Sequence, residues 1–409
     1  MELAEALNRT MKLAMDEGKA ESYAAAERLF RTFRLRIAVG RGFSAAPAAE
    51  AAVLTLLNAA RKTFLGGVEL VGEHQERCTM AWFRGRTLAE VANGFGVLCG
   101  EVGVDSDSPT IVVGAEPSGA PFDLGLRLDA SGFTLDPEGG SGWTIDASVS
   151  VGVAAAGAAI NEAFQRVYRD RPLAGARRVR FDLPIATRRE EHRAWLIGLG
   201  HLGQAYLWTM ALQALPSERL LLKLTDYDEV TLSSLSTCLL VDMADIGRNK
   251  VDAVAEKLEQ IGFGVVRDTA KVVLDTGTVV SDYPMVLVAV DNIGLRRGLD
   301  RLHASRIFEC GIGEGTEGFT RVQMHAFPGR RPALDVWQGE DPRASRVVDI
   351  SQAAYQSMLR ESGDECGTTL VASRSIATPF VGAFAGAVLA HLSQLGGAED
   401  AWNFDLNGL

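Results

Sequence analysis

The second half of the chain alternates short apolar runs with longer stretches in which apolar residues recur every three to four positions. The short runs predict strands, and the longer stretches predict helices. In chain order the predicted elements are "AWLIGLG" as strand, "HLGQAYLWTMALQAL" as helix, "RLLLKLTDYD" as strand, "GRNKVDAVAEKLEQIG" as helix, "DYPMVLVAVDN" as strand and "IGLRRGLDRLHASR" as helix. This alternation predicts a parallel sheet with crossover helices.

The pattern changes towards the C-terminus. Two more predicted strands, "RIFECGIGE" and "TRVQMHAFPG", are followed by the polar and irregular stretch "GRRPALDVWQGEDPRASRVVD". The chain then returns to a helical pattern of small residues, "TPFVGAFAGAVLAHLSQLGG", which predicts a helix packed closely against its neighbours.

The first half repeats this order in a weaker form. It contains a strand, turn and helix in "LRIAVGRGFSAAPAAEAAVLTLLNAARK", strands in "GGVELVG" and "TIVVGAE", and a late helix in "SVGVAAAGAAINEAFQRVY". We interpret the chain as two homologous α/β domains, each a mostly parallel Rossmann-like sheet flanked by helices. The first is degenerate, because Arg41 lies inside its glycine turn and alanine takes the third glycine position. A chance likeness between Ala-rich helices is the alternative.

The predicted domains are residues 1–185 and 186–409, with the charged stretch "GARRVRFDLPIATRREEHR" as the linker region. The second domain carries the candidate chemistry. Its first strand runs into a turn with Gly198, Gly200 and Gly203, ahead of a helix. Such a turn lets phosphate approach the backbone at a helix N-terminus. Asp226, at the end of the next strand, is placed to hold a ribose, which fits NAD and ATP equally well.

Three further motifs separate these nucleotides. "LTDYDEVTLSSLSTC", "DIGRNKVDAVAEKL" and "VLVAVDNIGLRR" follow in order. The succession resembles the ubiquitin-activating-enzyme superfamily, the ThiF, MoeB and HesA-like adenylating proteins, whose pattern runs D-x-D-x-V-x-x-S-N-L-N-R-Q, then G-x-x-K, then D-N-x-x-x-R. The resemblance covers roughly Ala194 to Gly329 and, loosely, the terminal helix.

The resemblance implies a role for each matching residue. The glycine turn would hold ATP and Asp226 its ribose, Lys250 would meet the phosphates, and Asp291 would coordinate Mg²⁺. Arg296 would brace the loop rather than contact ATP. The alternatives are a solvated lysine at a helix start for Lys250 and an N-cap for Asp291, which could serve both purposes.

The chain departs from the family pattern at the arginine of S-N-L-N-R-Q, where Thr237 stands. Arg248, two residues before Lys250, is a candidate for the compensating charge. In this family a second arginine reaches the triphosphate from the partner half, and Arg9 lies at a similar distance ahead of the first strand. The alternative for Arg9 is an ordinary surface residue on an amphipathic helix. If nothing compensates for Thr237, adenylation would be slow or lost.

Many members of this superfamily pass the activated acyl group to a cysteine in the crossover loop, here about residues 329–375. Cys366 lies in that region and is the candidate thioester residue. A thiolate is nucleophilic enough to capture an acyl-adenylate. Cys238 is the next candidate, and Cys310, in a predicted strand, reads as a core thiol.

Composition excludes several other classes. The five cysteines are odd in number and never spaced C-x-x-C, which argues against a disulfide framework or a zinc knuckle. The formal net charge of −11 argues against a nucleic-acid surface. With no membrane-length apolar run and an acidic rather than basic N-terminus, we expect a cytoplasmic protein.

The leading hypothesis is ATP- and Mg²⁺-dependent activation of the C-terminal carboxylate of a small ubiquitin-like or sulfur-carrier protein, as in bacterial ubiquitin-like conjugation. The resemblance also allows a conjugating-enzyme-like acceptor and a homodimer. The alternatives are an adenylate-only enzyme, an inactive scaffold that still binds a carrier, and an NAD-dependent oxidoreductase. The oxidoreductase is disfavoured because G-x-x-K and D-N-x-x-x-R have no role there.

Overall fold

A computed structural model describes residues 3–100, 108–114, 123–138, 140–170, 178–184, 193–214, 220–274, 279–280, 282–338, 348–395 and 400–407. Parts of the predicted linker, the predicted boundary between residues 185 and 186, and residues 339–347 of the predicted crossover loop lie outside the described residues. No helix in the described segments combines the length and the apolar character that crossing a membrane requires.

The first half contains eight described strands and five described α-helices. The strands are β1 (Arg34–Val39), β2 (Gly67–Gly72), β3 (Leu98–Cys99), β4 (Thr110–Val113), β5 (Leu124–Asp129), β6 (Gly132–Asp136), β7 (Gly142–Trp143) and β8 (Val179–Asp182). The helices are α1 (Lys12–Asp16), α2 (Tyr23–Phe30), α3 (Pro47–Thr63), α4 (Leu88–Gly94) and α5 (Val149–Arg169), with 3-10 turns at Leu3–Glu5, Phe43–Ala45 and Ala81–Phe83.

The second half is richer in helices. Its described strands are β9 (Arg193–Ile197), β10 (Leu221–Thr225), β11 (Gly264–Asp268), β12 (Val279–Val280), β13 (Met285–Val288), β14 (Leu302–His303), β15 (Arg306–Ile312), β16 (Arg321–Phe327) and β17 (Ala401–Asp405). Its described helices are α6 (His201–Gln213), α7 (Leu232–Leu235), α8 (Lys250–Glu259), α9 (Ile293–Arg297), α10 (Gly315–Gly318), α11 (Ala333–Val336), α12 (Ala353–Ser362), α13 (Glu365–Ser373) and α14 (Pro379–Leu392), with 3-10 turns at Met243–Asp245 and Leu299–Arg301.

Each half builds one large sheet, and the two sheets have the same topology. The strand orders are β3-β2-β1-β4-β5-β6-β8 and β11-β10-β9-β13-β15-β16-β17. In both sheets the first five strands are parallel, the sixth is antiparallel to both of its neighbours, and the seventh again runs with the first five. The first sheet has in addition the short strand β7, which pairs with β5. The predicted pair of Rossmann-like domains is therefore confirmed, and matched topology is what a duplicated unit produces.

Four helices, α3 and α5 from the first half with α6 and α14 from the second, join the two halves. Small residues let their backbones approach closely. Between the halves, a Cβ atom on Gly157 would lie 2.6 Å from the carbonyl oxygen of Phe380; within the second half, one on Gly386 would lie 2.5 Å from the backbone of Ala205. The Trp208 indole N–H also donates to the Thr55 hydroxyl across the interface, at 2.9 Å. The Ala- and Gly-rich helices that looked alike in sequence thus pack against each other.

Three sequence predictions need correction. Part of the predicted linker is a strand, because Val179–Asp182 pairs with β6. The helix predicted over "IGLRRGLDRLHASR" ends at Arg297, since Gly298 breaks it and a 3-10 turn follows. The predicted crossover loop holds helices α11, α12 and α13, and Gly363 and Asp364 are the C-cap of α12 and the N-cap of α13.

Candidate nucleotide-binding site

A cleft of about 430 Å³ opens at the carboxyl ends of β9, β10 and β13. Strand β9 lies between the other two, so the crossovers leave in opposite directions at this point. Ligands of open α/β sheets bind at such a switch point. The cleft brings together most of the predicted site residues: Arg9, Gly198, Gly200, Asp226, Lys250 and Asp291.

The glycine turn forms one wall of this cleft. Gly198 has a φ of +95°, a left-handed conformation that a side chain would strain. Gly200 is the N-cap of α6, and no side chain of the described residues caps this helix. Gly203 does not line the cleft. A Cβ atom there would lie 2.0 Å from the Gly198 carbonyl oxygen, so this glycine allows the helix to pack on the turn.

Asp226 joins the end of β10 to the glycine turn. Its carboxylate accepts the backbone N–H of Leu199 at 2.6 Å and that of Asp228 at 2.8 Å. The side chain is buried. These two bonds fix the carboxylate at the rim of the cleft, beside the turn.

Lys250 begins α8 and is buried, with only 9% of its surface exposed. Its ammonium group donates to the Asp228 carboxylate at 2.9 Å. Burial alone would lower the pKa of Lys250, but the charges of Asp226 and Asp228 outweigh it and raise the pKa. The structure therefore holds a permanent positive charge in the cleft, which does not fit an ordinary solvated lysine.

Arg9 reaches the cleft from the N-terminal segment of the first half. Its Nε donates to the Ser375 carbonyl oxygen at 3.0 Å, and its backbone N–H donates to the Ser236 hydroxyl at 3.3 Å. Burial lowers the pKa of Arg9, and the nearby charge of Arg374 adds to this effect. The first half thus contributes a cation to a site built mainly by the second half.

Asp291 follows β13, and its neighbours hold the loop. Asn292, not Asp291, is the N-cap of α9. Arg296 donates to the carbonyl oxygens of Val290 at 3.0 Å and Cys310 at 3.1 Å. Asp291 therefore does not cap α9. The Arg296 side chain holds the loop by hydrogen bonds to backbone carbonyl groups on both of its sides.

Arg248 lies elsewhere. It is absent from the described lining of the cleft and instead forms ion pairs with Asp245 at 3.2 Å and Glu256 at 2.5 Å. These acids lie beside it on the same loop and helix, so they attract the guanidinium away from the nucleotide. The structure does not place Arg248 as the substitute for the missing arginine.

Sequence reasoning missed several cations. Arg374 and Lys271 line the cleft, the first from the end of α13 and the second after β11. Lys62, on α3, does not line the cleft; its ammonium group crosses from the first half and donates to the Leu235 carbonyl oxygen at 2.7 Å. Burial, with the charge of Arg61, lowers the pKa of Lys62 to about 7. No local motif marks these residues, since the fold brings them together.

The cysteines separate by exposure. Cys366 is exposed in the first turn of α13, whereas Cys238 and Cys310 are buried. Burial also raises the pKa of both buried thiols. Cys366 does not line the cleft. It precedes Arg374, at the other end of α13, by eight positions, which is about 12 Å along a helix.

A second cleft, of about 520 Å³, continues from the first. The two share Asp291, Arg296 and the segment from Gly311 to Glu314. The second cleft then runs to the edge strand β17, where it is lined by Asn403, Phe404 and Asp405. An extended chain could therefore enter from the sheet edge and end beside Asp291.

The donor set also bears on metal binding. In the described part of the chain no three His, Cys, Asp or Glu side chains cluster as a metal site. Mg²⁺ needs no such cluster, because it keeps several waters and takes one or two carboxylates with phosphate oxygens. The carboxylate of Asp291 therefore fits Mg²⁺ delivered with a nucleotide, and does not fit a resident protein-caged metal.

Family comparisons agree with this architecture. The model of the BilD N-terminal domain matches residues 34–183, and that of the BilD C-terminal domain matches residues 191–395. The chain is also 31% identical over 397 residues to the Bacterial E1-like protein BilD of Collimonas sp. (strain OK412), covering 93% of this chain and 86% of that protein. The chain belongs to the BilD family of bacterial E1-like proteins.

The BilD match confirms the E1-like part of the predicted resemblance, while kinship to ThiF or MoeB in particular stays a prediction. The crystal structure of SeMet PaaA is a far weaker match. It is 18% identical with a TM-score of 0.27, over 46% of this chain and 58% of that one. The chain thus spans less than two thirds of that structure, and we infer neither a fold nor a function from the similarity.

Proposed function

We propose that this BilD-family protein uses ATP to activate the C-terminal carboxylate of a small ubiquitin-like protein. The observation that carries the proposal is the convergence of Asp226, Lys250, Asp291 and Arg9 on one glycine-walled cleft. An oxidoreductase would have no use for a buried lysine and an arginine from the partner half at the phosphate end of its site. The E1-like family supports the same activity.

In the first step, a carboxylate oxygen of the carrier attacks the α-phosphorus of ATP. The new bond joins that oxygen to phosphorus, the bond from the α-phosphorus to the bridging oxygen breaks, and pyrophosphate leaves with its electron pair. Lys250 and Arg9 stabilise the negative charge that grows on the departing pyrophosphate. Mg²⁺ held by Asp291 would neutralise phosphate charge in the same step.

The second cleft supplies the route for the carrier. A flexible C-terminal tail entering past β17 would bring its carboxylate to the Asp291 end of the nucleotide cleft. Activation of a free C-terminus also explains why a narrow, elongated cleft suffices, since only an extended chain has to pass through it.

In the second step, the Cys366 thiolate attacks the carbonyl carbon of the acyl-adenylate. A carbon–sulfur bond forms, the carbon–oxygen bond to phosphate breaks, and AMP leaves. Cys366 is exposed and thus accessible to a carrier, but it lies outside the cleft. We propose that α13 or the adenylated tail moves before the thioester forms, because the reacting atoms must come within about 3.5 Å.

The test separates the two steps with a purified ubiquitin-like protein and a control lacking its last residues. With the intact carrier, ATP–pyrophosphate exchange reports adenylation, and a reductant-sensitive adduct on gels reports the thioester. Arg9→Ala should slow exchange, because it removes charge stabilisation from the leaving group. Cys366→Ala should leave exchange intact and remove the adduct, since the thiol enters only after the adenylate exists.

The alternatives predict other results. An adenylate-only enzyme would show brisk exchange and no adduct in the unmodified protein. An inactive scaffold would bind the carrier and show no exchange, as Thr237 in place of the family's arginine would suggest. An adduct that persists in Cys366→Ala would move the nucleophile to another cysteine.

A further inference from the structure

Arg374 is a cation on the wall of the nucleotide cleft that the steps above do not use. It is the C-cap residue of α13, immediately before the segment that leads into α14. Its Nη2 donates to the Glu5 carboxylate at 2.9 Å, and 43% of its side chain is exposed. Arg374 therefore lines the cleft while one nitrogen of its guanidinium is tethered to Glu5.

Arg374 and Arg9 are held side by side by the backbone. The residue after Arg374, Ser375, accepts the Arg9 Nε–H through its carbonyl oxygen, and the Thr10 hydroxyl donates to the Ala377 carbonyl at 3.0 Å. No carboxylate among the described residues forms an ion pair with Arg9. Two like charges on one wall repel each other, and a polyanion between them would relieve that repulsion.

The segment beside Arg9 lacks a cation at the position where the family pattern has an arginine, since Ser236, which accepts the Arg9 backbone N–H, is followed by Thr237. Thr237 is buried and offers only a hydroxyl, and Arg248 is paired with acids outside the cleft. Resting on the proposed function, we propose that Arg374 contacts the β- and γ-phosphates of ATP and supplies the charge that Thr237 does not. A planar guanidinium suits this contact, because its remaining donors can face phosphate oxygens while Nη2 stays with Glu5.

Equilibrium binding of ATP and AMP to the full chain, with Mg²⁺ and without a carrier, tests this contact. Arg374→Ala should weaken ATP binding about tenfold, the usual scale for one partly exposed charge-assisted contact. It should change AMP binding less than about twofold, because AMP lacks the phosphates that Arg374 contacts. Arg374→Lys keeps the charge and should recover part of the loss.

Arg360→Ala is the matched control, since Arg360 is an exposed arginine on α12, in the same crossover region, and does not line the cleft. It should bind both nucleotides as the unmodified protein does. Equal weakening of ATP and AMP by Arg374→Ala, or no weakening of either, would overturn the inference. If the unmodified protein binds neither nucleotide, the proposed function itself fails.

Discussion

The two glycine turns of this protein occupy the same place in matched sheets, yet different groups surround them. In the first half, the backbone N–H groups of Gly42 and Ser44 donate to the Glu76 carboxylate at 2.8 and 3.0 Å. In the second half, Gly198 and Gly200 line an open cleft with cations around it. A protein carboxylate thus takes the backbone donors that a phosphate would use.

The space beside the first turn is also filled. Trp143 packs over Gly114, where a Cβ atom would lie 2.7 Å from the indole ring and 3.3 Å from Gly40. The comparison teaches that the same sheet topology can surround its glycine turn with either protein groups or an open cleft. In the first half the Glu76 carboxylate satisfies the turn and the Trp143 indole fills the space beside it.

We expect the largest effect from substitution of Asp291. The described residues of the first half offer no equivalent carboxylate that could take over its role. Asp291→Ala should lower carrier adenylation about a hundredfold or more, because the phosphate charge loses its metal ligand. The thermal midpoint should hardly change, since the side chain is exposed. Exchange assays and thermal unfolding of the same preparation measure both, and full exchange activity would remove Asp291 from the site.

Lys250→Ala should have the second-largest effect and raise the KM for ATP about tenfold or more. The residue is buried with its charge intact, so its loss leaves the phosphates with fewer cations. Lys257→Ala is the matched control on the same helix, because Lys257 pairs with Asp242 and Asp245 and does not line the cleft. An unchanged dependence of rate on ATP concentration in Lys250→Ala would contradict this assignment.

The substitution Glu76→Gln should have the smallest effect, and it should change only the thermal stability of the protein. Burial tends to raise the pKa of Glu76, but hydrogen bonds from Ser44 and Gly42 outweigh burial and lower it. A carboxylate whose pKa is lowered by folding stabilises the protein above its unfolded pKa, and this contribution disappears as the pH falls through the folded value. Glu76→Gln should therefore lower the thermal midpoint by about 2 to 6 °C at pH 7, and by less near pH 4.

Adenylation by Glu76→Gln should match that of the unmodified protein, which separates this prediction from those for the second half. A midpoint deficit that stays the same between pH 7 and pH 4 would show that Glu76 does not act through its charged form.

The sequence alone predicted those parts of the architecture that depend on patterns within short segments of the chain. Buried apolar runs such as Met285–Val288 and the glycine turn at Gly198 predicted the second sheet and the site at its edge. The resemblance to the ubiquitin-activating-enzyme superfamily also implied that Asp226, Lys250 and Asp291 would share one site, and all three line the cleft.

What the sequence could not show depends on contacts between distant segments. Arg374 reaches the cleft only because α13 ends there, and Lys62 reaches Leu235 only because the two halves pack through their helices. Arg248 was a reasonable substitute by spacing alone, but Asp245 and Glu256 draw it away. Such competition between partners is set by the tertiary structure.

The stoichiometry of ATP binding tests the central claim most directly. Calorimetric titration of the full chain with ATP and Mg²⁺ should give one site per chain, because the first turn is occupied by Glu76 and only the second is open. Asp226→Ala should then weaken that single site. Two sites per chain, or one site unaffected by Asp226→Ala, would contradict the division of the molecule into a closed half and a nucleotide-binding half.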